Sequence, residues 1–233
     1  MGQSETSLGG LLALCLAAAI PIAAAQAESA VPFELSQKFV TEHKVKSLVG
    51  PSVQVDEQGQ VSLAWMEEEK DVRSVLYARS AEAGGPMGAP VRINRPEDVP
   101  YWRQEAPALV VQGEDVFVTW GLAHPKATPQ QPFATELRLS RSIDGGKTFQ
   151  PSVAVNDDPG VIQHTFDALH RDADGRLHLS WIDGREGKKE PGTYVARSLD
   201  RGATITRNLK VDEGTCVCCR TAVTSGPEGM VYV

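Results

Sequence analysis

Apolar and polar residues alternate along most of the chain in short runs that are separated by glycine-containing turns. Alternation with a period of two is typical of β-strands, and no run after Ala27 has the period of a helix. Three segments share one order, in which a strand and a turn lead to a second alternating strand that ends in tryptophan: Pro51–Trp65, Pro107–Trp120 and Asp167–Trp181. This recurrence predicts an all-β protein built from repeats.

Two further strands follow each tryptophan and complete a unit of four strands. The third strands are predicted at Ser74–Ser80, Glu136–Ser142 and Thr193–Ser198, and the fourth strands at Ala89–Asn94, Pro151–Asn156 and Thr206–Asp212. Four antiparallel strands in each repeat are typical of a β-propeller blade. The blades are predicted at about residues 50–94, 106–156 and 166–212, with the start of the next blade at 220–233.

The predicted propeller is incomplete, because three blades and part of a fourth leave open sheet edges. A parent with six blades would need roughly 350–400 residues. We therefore expect a six-bladed propeller that is truncated here to about three blades plus the start of a fourth. The segment 28–49 is a candidate for a strand that closes the last blade onto the first.

The turns between the third and fourth strands share a second pattern, S-x-D-x-G-x-T-F. An Asp carboxylate can accept backbone N–H groups within such a turn, and glycine permits a positive φ. The pattern therefore predicts a structural turn rather than a catalytic loop. The residues that carry it are Ser142, Asp144, Gly146, Thr148 and Phe149 in one copy and Ser198, Asp200, Gly202 and Thr204 in another.

This turn resembles the Asp-box, or BNR repeat, of sialidase-like (neuraminidase-like) β-propellers, and the resemblance covers residues 50–233. The segment CVCC also resembles a C-x-C-C segment of an exported bacterial subgroup. The resemblance implies an exo-sialidase-like glycoside hydrolase that acts on anionic glycans. Sialidases of this family bind the substrate carboxylate with three arginines, use an Asp as acid/base and attack with a Tyr paired to a Glu. The alternative is a noncatalytic periplasmic binding or interaction propeller with a metal or thiol site at CVCC.

The loops between second and third strands and the connectors between blades are predicted to share one face of the propeller, here called the near face. These loops are longer and richer in polar residues than the turns at the opposite face, and binding groups usually lie on such loops. The catalytic candidates on the connectors are Arg103, Glu105, Asp167 and Arg220. The substrate-binding candidates are His164, Asp183 and Arg185.

Three cysteines, Cys216, Cys218 and Cys219, form the segment CVCC on a near-face connector. Such a cluster can form a disulfide that leaves one free thiol, or it can bind a soft metal such as Cu(I) or Zn²⁺. His164, from the neighbouring connector, is a candidate fourth ligand. Both interpretations stay open on the sequence alone, and no other cofactor is predicted.

The first part of the chain is different, because Leu8–Ala27 is an apolar run that ends in an A-x-A cleavage pattern. We predict a signal peptide at 1–27, cleavage after Ala27, a periplasmic or secreted protein and no membrane span after cleavage. The net charge is −7 and no basic stripe is visible, which argues against nucleic acid as a partner. A carbohydrate or a small anionic ligand is the expected partner, and no oligomeric state follows from the sequence.

Overall fold

The second strand of each repeat is buried at most of its positions, which shows that it is covered on both faces. The computed structural model describes residues 47–101, 106–187, 191–216 and 218–233. Its strands are β1 (Ser47–Val55), β2 (Val61–Glu69), β3 (Val72–Arg79), β4 (Val91–Arg92), β5 (Ala108–Gln112), β6 (Asp115–Ala123), β7 (Thr135–Ser142), β8 (Val153–Ala154), β9 (His164–Arg171), β10 (Leu177–Asp183), β11 (Gly192–Ser198), β12 (Leu209–Asp212), β13 (Thr224–Ser225) and β14 (Val231–Tyr232).

These strands form antiparallel sheets in chain order. The sheets are β1-β2-β3-β4, β5-β6-β7-β8, β9-β10-β11-β12 and the two-stranded β13-β14. A 3-10 turn at Pro227–Gly229 is the only helical element of the described residues, and none of their helices is long and apolar enough to span a membrane. The predicted all-β fold of four-stranded propeller blades is thereby confirmed. The predicted signal peptide and most of the segment 28–49 lie outside the described residues.

The sheets pack face to face, and β6 shows how one strand serves two interfaces. Val116, Val118 and Trp120 lie in a core with residues of the first sheet. Phe117, which points the other way, lies in a second core with Leu177 of the third sheet. The apolar residues at successive positions thus bury both faces of the central strand, as blade-on-blade packing requires.

The turn that follows β7 is held together by its own polar side chains. The Ser142 hydroxyl donates to Asp144 Oδ1 (2.6 Å) and accepts the N–H of Gly146 (2.9 Å). The N–H and hydroxyl of Thr148 donate to the two oxygens of Asp144 (3.0 and 2.6 Å). These hydrogen bonds from Ser142 and Thr148 hold the pKa of Asp144 far below its ordinary value. The carboxylate accepts hydrogen bonds from both ends of the turn, as a structural role in the turn requires.

The turn after β11 repeats this geometry. The hydroxyl of Ser198 donates to Asp200 Oδ1 (2.8 Å) and accepts the N–H of Gly202 (2.8 Å). The N–H and hydroxyl of Thr204 donate to Asp200 at 2.9 and 2.6 Å and are the main reason that the pKa of Asp200 falls to about 2. Phe149 of the first turn packs edge-to-face on Tyr77 of the first sheet, with ring centroids 5.6 Å apart.

Candidate functional site

The chain segments that lead into the innermost strands β5, β9 and β13 meet on the near face. Arg220 donates to the backbone carbonyl of Asp167 from Nη1 and to that of Ala106 from Nη2, both at 3.4 Å. The neighbouring Thr221 N–H donates to Phe166 O at 3.1 Å. The structure therefore brings the predicted residues Asp167 and Arg220 together at the point where three sheets converge, here called the mouth. The predicted Arg103 and Glu105 lie outside the described residues.

Asp167 is a buried carboxyl group at the mouth. Its strand bulges at Phe166, which has a φ of 55°. The next residue, Asp167 itself, is only 2% exposed. The Thr119 hydroxyl of the second sheet donates to Asp167 Oδ2. Burial raises the pKa of Asp167, and the Thr119 hydrogen bond and the Arg220 charge only partly oppose this. A carboxyl group with a raised pKa can keep a proton that an acid catalyst donates.

Arg220 differs from Asp167 in being exposed to solvent. Its two hydrogen bonds go to neutral backbone carbonyls, and no carboxylate of the described residues lies within ion-pair distance of its guanidinium. A guanidinium has five N–H donors, so donors remain for a ligand. The geometry therefore offers an anchored positive charge at the mouth.

The three predicted substrate-binding residues form a second cluster, at the ends of β9 and β10. Arg185 donates to both carboxylate oxygens of Asp183, from Nε at 3.0 Å and from Nη2 at 2.8 Å. It also donates to Asp157 Oδ1 (2.8 Å) and Asn208 Oδ1 (3.0 Å). Trp181 Nε1 donates to the Asp183 side chain, which is 0% exposed. The structure thus brings the predicted residues together, and it engages most of their polar atoms with one another.

His164 joins this cluster with both ring nitrogens. Nδ1 lies 2.5 Å from the carbonyl oxygen of Thr135, which can only accept, so Nδ1 carries a proton. Nε2 lies 2.7 Å from Asp158 Oδ2 and 3.6 Å from Asp183 Oδ2. Burial lowers the pKa of His164, but the Asp158 hydrogen bond and the Asp183 charge outweigh it and raise the pKa above its ordinary value. Burial raises the pKa of Asp158, and the His164 hydrogen bond and charge outweigh it, so that this pKa falls to about 2.

The charge of His164 gives the protein a pH-dependent stability. Because the folded-state pKa lies above the unfolded value of roughly 6.5, protonated His164 stabilises the fold below pH 6.5, and this contribution is lost as the pH rises through the folded pKa. We expect the free energy of unfolding of His164→Asn to lack this decline between pH 6 and 9. Urea unfolding of both proteins across that range measures the difference. Parallel pH profiles would contradict the assignment.

The oxygens of Asp158 and Asp183 and Nε2 of His164 lie within 4.8 Å of one another, as the ligands of a metal would. Arg185 Nη2 already lies 2.8 Å from Asp183 and 3.3 Å from Asp158, however. A guanidinium at that distance neutralises the carboxylates and repels a cation. The cluster is therefore an ion-pair network rather than a metal site.

Tyr194 and Glu186 form a pair that the sequence reasoning did not identify. The phenol of Tyr194 donates to Glu186 Oε1 at 2.7 Å, and Arg185 lies over the phenol ring, with Cζ 4.3 Å from the ring centroid. Burial, the Glu186 hydrogen bond and the Glu186 charge raise the pKa of Tyr194 to about 12. Tyr194 therefore contacts both Glu186, through its hydroxyl, and Arg185, through its ring. The sequence pattern predicted a third strand at Thr193–Ser198, which contains Tyr194, but no pattern linked Tyr194 to Glu186.

A cleft of about 650 Å³ opens on the near face between the loop after β6 and the loop after β10. Its walls include the apolar side chains of Phe133, Ile162 and Ile182 and the amides of Gln131 and Gln163. Gln131 Nε2 donates to Val161 O (2.7 Å), which ties the loop after β6 to the connector before β9. The sequence pattern did not predict this cleft, because its shape depends on the paths of two loops.

The predicted metal or disulfide residues lie together on the connector between β12 and β13. The side chains of Cys216, Cys218 and Cys219 are all exposed, and the sulfurs of Cys216 and Cys218 are 2.8 Å apart. Hydrogen bonds from Cys218 are the main reason that the pKa of Cys216 is lowered, and the same pairing raises the pKa of Cys218 to about 11.

No protein-family model and no curated protein matches the chain. Among solved structures, the chain is similar to an α-L-arabinanase of Penicillium chrysogenum complexed with arabinobiose, with a TM-score of 0.51 and 13% identity over 78% of this chain and 56% of the arabinanase. It is also similar to the sialidase of Trypanosoma rangeli in complex with sialic acid, with a TM-score of 0.51 and 16% identity over 84% of this chain and 35% of the sialidase. The chain thus spans about half the length of the arabinanase and about a third of that of the sialidase. At this identity the likeness concerns the fold, and the chain has the β-propeller fold of sialidase and arabinanase glycoside hydrolases.

Proposed function

We propose that the protein binds an anionic carbohydrate at the mouth, with Arg220 as the residue that binds the carboxylate of the sugar. The observation that carries this proposal is the exposed guanidinium of Arg220, which is anchored by two backbone carbonyls at 3.4 Å. A guanidinium recognises a carboxylate through two parallel hydrogen bonds, provided that another carboxylate has not already neutralised it. Arg185, with its carboxylate partners at 2.8–3.0 Å, fails this condition.

The cellular compartment of the protein and the chemical class of its ligand are part of the same proposal. The A-x-A pattern at Ala25–Ala27 supports export to the periplasm or beyond, where glycans are accessible. One structure with the same fold holds sialic acid, an anionic sugar, and another holds the neutral sugar arabinobiose. The guanidinium of Arg220, which forms no ion pair with a carboxylate of the described residues, favours the anionic class.

The test compares the two sugars on the full chain by isothermal titration calorimetry. We expect sialic acid to bind and Arg220→Ala to weaken its binding by roughly 10- to 100-fold, the loss expected for hydrogen bonds to a charged group. Arg220→Lys keeps the charge without the planar fork, so its affinity for sialic acid should lie between those of the wild type and Arg220→Ala. The matched control is Arg207→Ala, which removes another exposed arginine.

Equal losses in Arg220→Ala and Arg207→Ala would contradict a specific site at the mouth. Binding of arabinobiose in preference to sialic acid would contradict the anionic ligand class. The absence of binding for both sugars would refute the proposal as a whole.

Exo-sialidase-like hydrolysis is a second candidate function, and Asp167 favours it. Burial raises its pKa, which is the direction of shift that the acid catalyst of a glycosidase requires. We expect Asp167→Asn to abolish release of a fluorogenic aglycone from a sialoside while thermal unfolding stays unchanged or shifts upward, since Asn is neutral and similar in shape. If the wild-type chain binds sialic acid but releases no aglycone, the binding proposal stands and hydrolysis is refuted.

A further inference from the structure

Three thiols come together on the surface connector between β12 and β13. The N–H of Cys219 donates to Cys216 O (3.2 Å) and closes a tight turn. The sulfurs of Cys216, Cys218 and Cys219 all lie within 4.8 Å of one another. Three sulfurs this close together can contact one ion at the same time once the sulfurs of Cys216 and Cys218 move apart from their 2.8 Å separation. All three side chains are exposed, so an ion can reach them from solvent.

The number and type of these ligands distinguish between metals. Thiolates are soft ligands, which select Cu(I) and zinc among the common metals. Structural zinc takes four ligands in a tetrahedron. The expected fourth ligand, His164, uses one ring nitrogen on Thr135 O and the other on Asp158. The cysteine cluster contains three sulfurs and no nitrogen or oxygen ligand of the described residues. It therefore fits Cu(I) better than Zn²⁺.

We propose that Cys216, Cys218 and Cys219 form a binding site for one Cu(I) ion. Each thiol that ligates the ion releases its proton to solvent, and copper stays in the Cu(I) state, so the step needs neither an oxidant nor a reductant. The site adjoins Arg220 in the sequence but uses no residue of the mouth. Copper binding therefore stands or fails independently of carbohydrate binding.

The experiment uses the full chain, reduced under anaerobic conditions and titrated with Cu(I) in competition with a chromogenic Cu(I) chelator. We expect one Cu(I) per chain, thiolate-to-copper charge transfer in the ultraviolet, and a first shell of sulfur alone by X-ray absorption. Cys218→Ser should weaken Cu(I) binding by roughly 100-fold or more, since loss of a ligand exceeds the 10- to 100-fold effect of outer-shell changes. Zn²⁺ should not displace the bound Cu(I).

In the uncleaved chain, Cys15→Ser is the control, because Cys15 is the one other cysteine and lies in the predicted signal peptide. This variant should keep full Cu(I) affinity. The proposal is overturned if the triple variant Cys216→Ser, Cys218→Ser, Cys219→Ser binds Cu(I) as tightly as the wild type, or if Zn²⁺ is bound in preference. A copper-free Cys216–Cys218 disulfide in exported protein that is alkylated at once would also overturn it. Thermal unfolding of each variant checks that the fold is intact.

Discussion

Replacement of Asp183 by alanine is expected to lower the free energy of unfolding by about 3–5 kcal/mol, the usual loss when one side of a buried ion pair is removed. The Asp183 side chain is 0% exposed and accepts hydrogen bonds from Arg185 (2.8 and 3.0 Å) and Trp181 Nε1 (2.9 Å). Alanine would leave the buried indole N–H without its acceptor and would remove the main partner of the guanidinium. It would also take away one of the two carboxylates that face protonated His164. Urea unfolding followed by tryptophan fluorescence measures the loss.

Two matched variants separate the charge of Asp183 from its shape. Asp183→Asn keeps the volume and one acceptor oxygen, so we expect a smaller loss of about 1–3 kcal/mol. Asp174→Ala removes an aspartate whose side chain is 70% exposed and whose partner is Arg176, and should change stability by about 0.5 kcal/mol or less. A loss in Asp183→Ala no larger than in Asp174→Ala would show that the network does not stabilise the fold.

The blade architecture could be predicted from the sequence because it depends on local alternation. Val116, Phe117 and Val118 show the rule, since consecutive apolar residues on one strand face two different neighbouring sheets. The turn with Ser142 and Asp144 was likewise predictable, because its hydrogen bonds join residues that are at most four positions apart. The period of the apolar positions and the residues that form short-range hydrogen bonds can both be identified in a single sequence.

The chemistry of the near face was predictable only in part. The predicted meeting of connectors on one face agrees with the contact between Arg220 and the backbone carbonyl of Asp167, although β9 begins earlier than predicted, at His164. The same reasoning grouped His164, Asp183 and Arg185, whose substrate-binding role stays a prediction. Their mutual ion pairs were not predicted, because no periodic pattern encodes the paths of the loops.

The partners of Arg185 illustrate what periodicity leaves out. Asp157 comes from a connector and Asn208 from the approach to a fourth strand, and each meets Arg185 only through the folding of its own loop. The cleft beside Phe133 has the same origin. Long-range polar contacts of this kind depend on loop geometry, so the sequence identified the candidate residues without their partners.

Replacement of Gly146 by alanine is expected to lower the free energy of unfolding by about 3 kcal/mol, from two sources. Gly146 has a φ of +87°, and a left-handed backbone costs an L-residue about 1–2 kcal/mol. A Cβ atom there would also lie 2.0 Å from Cε1 of Tyr77, and forcing a packed core apart costs about 1–3 kcal/mol. Tyr77 cannot move away easily, because its ring is 1% exposed, packs on Phe149 and is hydrogen-bonded to Ser62 (3.0 Å).

The chain supplies a control that isolates the backbone cost of this substitution. Gly113 has a φ of +60°, but a Cβ atom at that position would meet nothing within 4 Å, so Gly113→Ala should show only the loss of about 1–2 kcal/mol. The difference between the stability losses of Gly146→Ala and Gly113→Ala measures the contact between the turn of one blade and the Tyr77 ring of the preceding blade. Tyr77→Ala removes the ring that the new Cβ atom would meet. In that background the stability loss of Gly146→Ala should therefore fall to that of Gly113→Ala, and a double-mutant cycle measures the difference. Equal losses in the two glycine variants of the wild-type background would mean that the turn does not pack on Tyr77, and blade-to-blade packing would then have to rest on the strand cores alone.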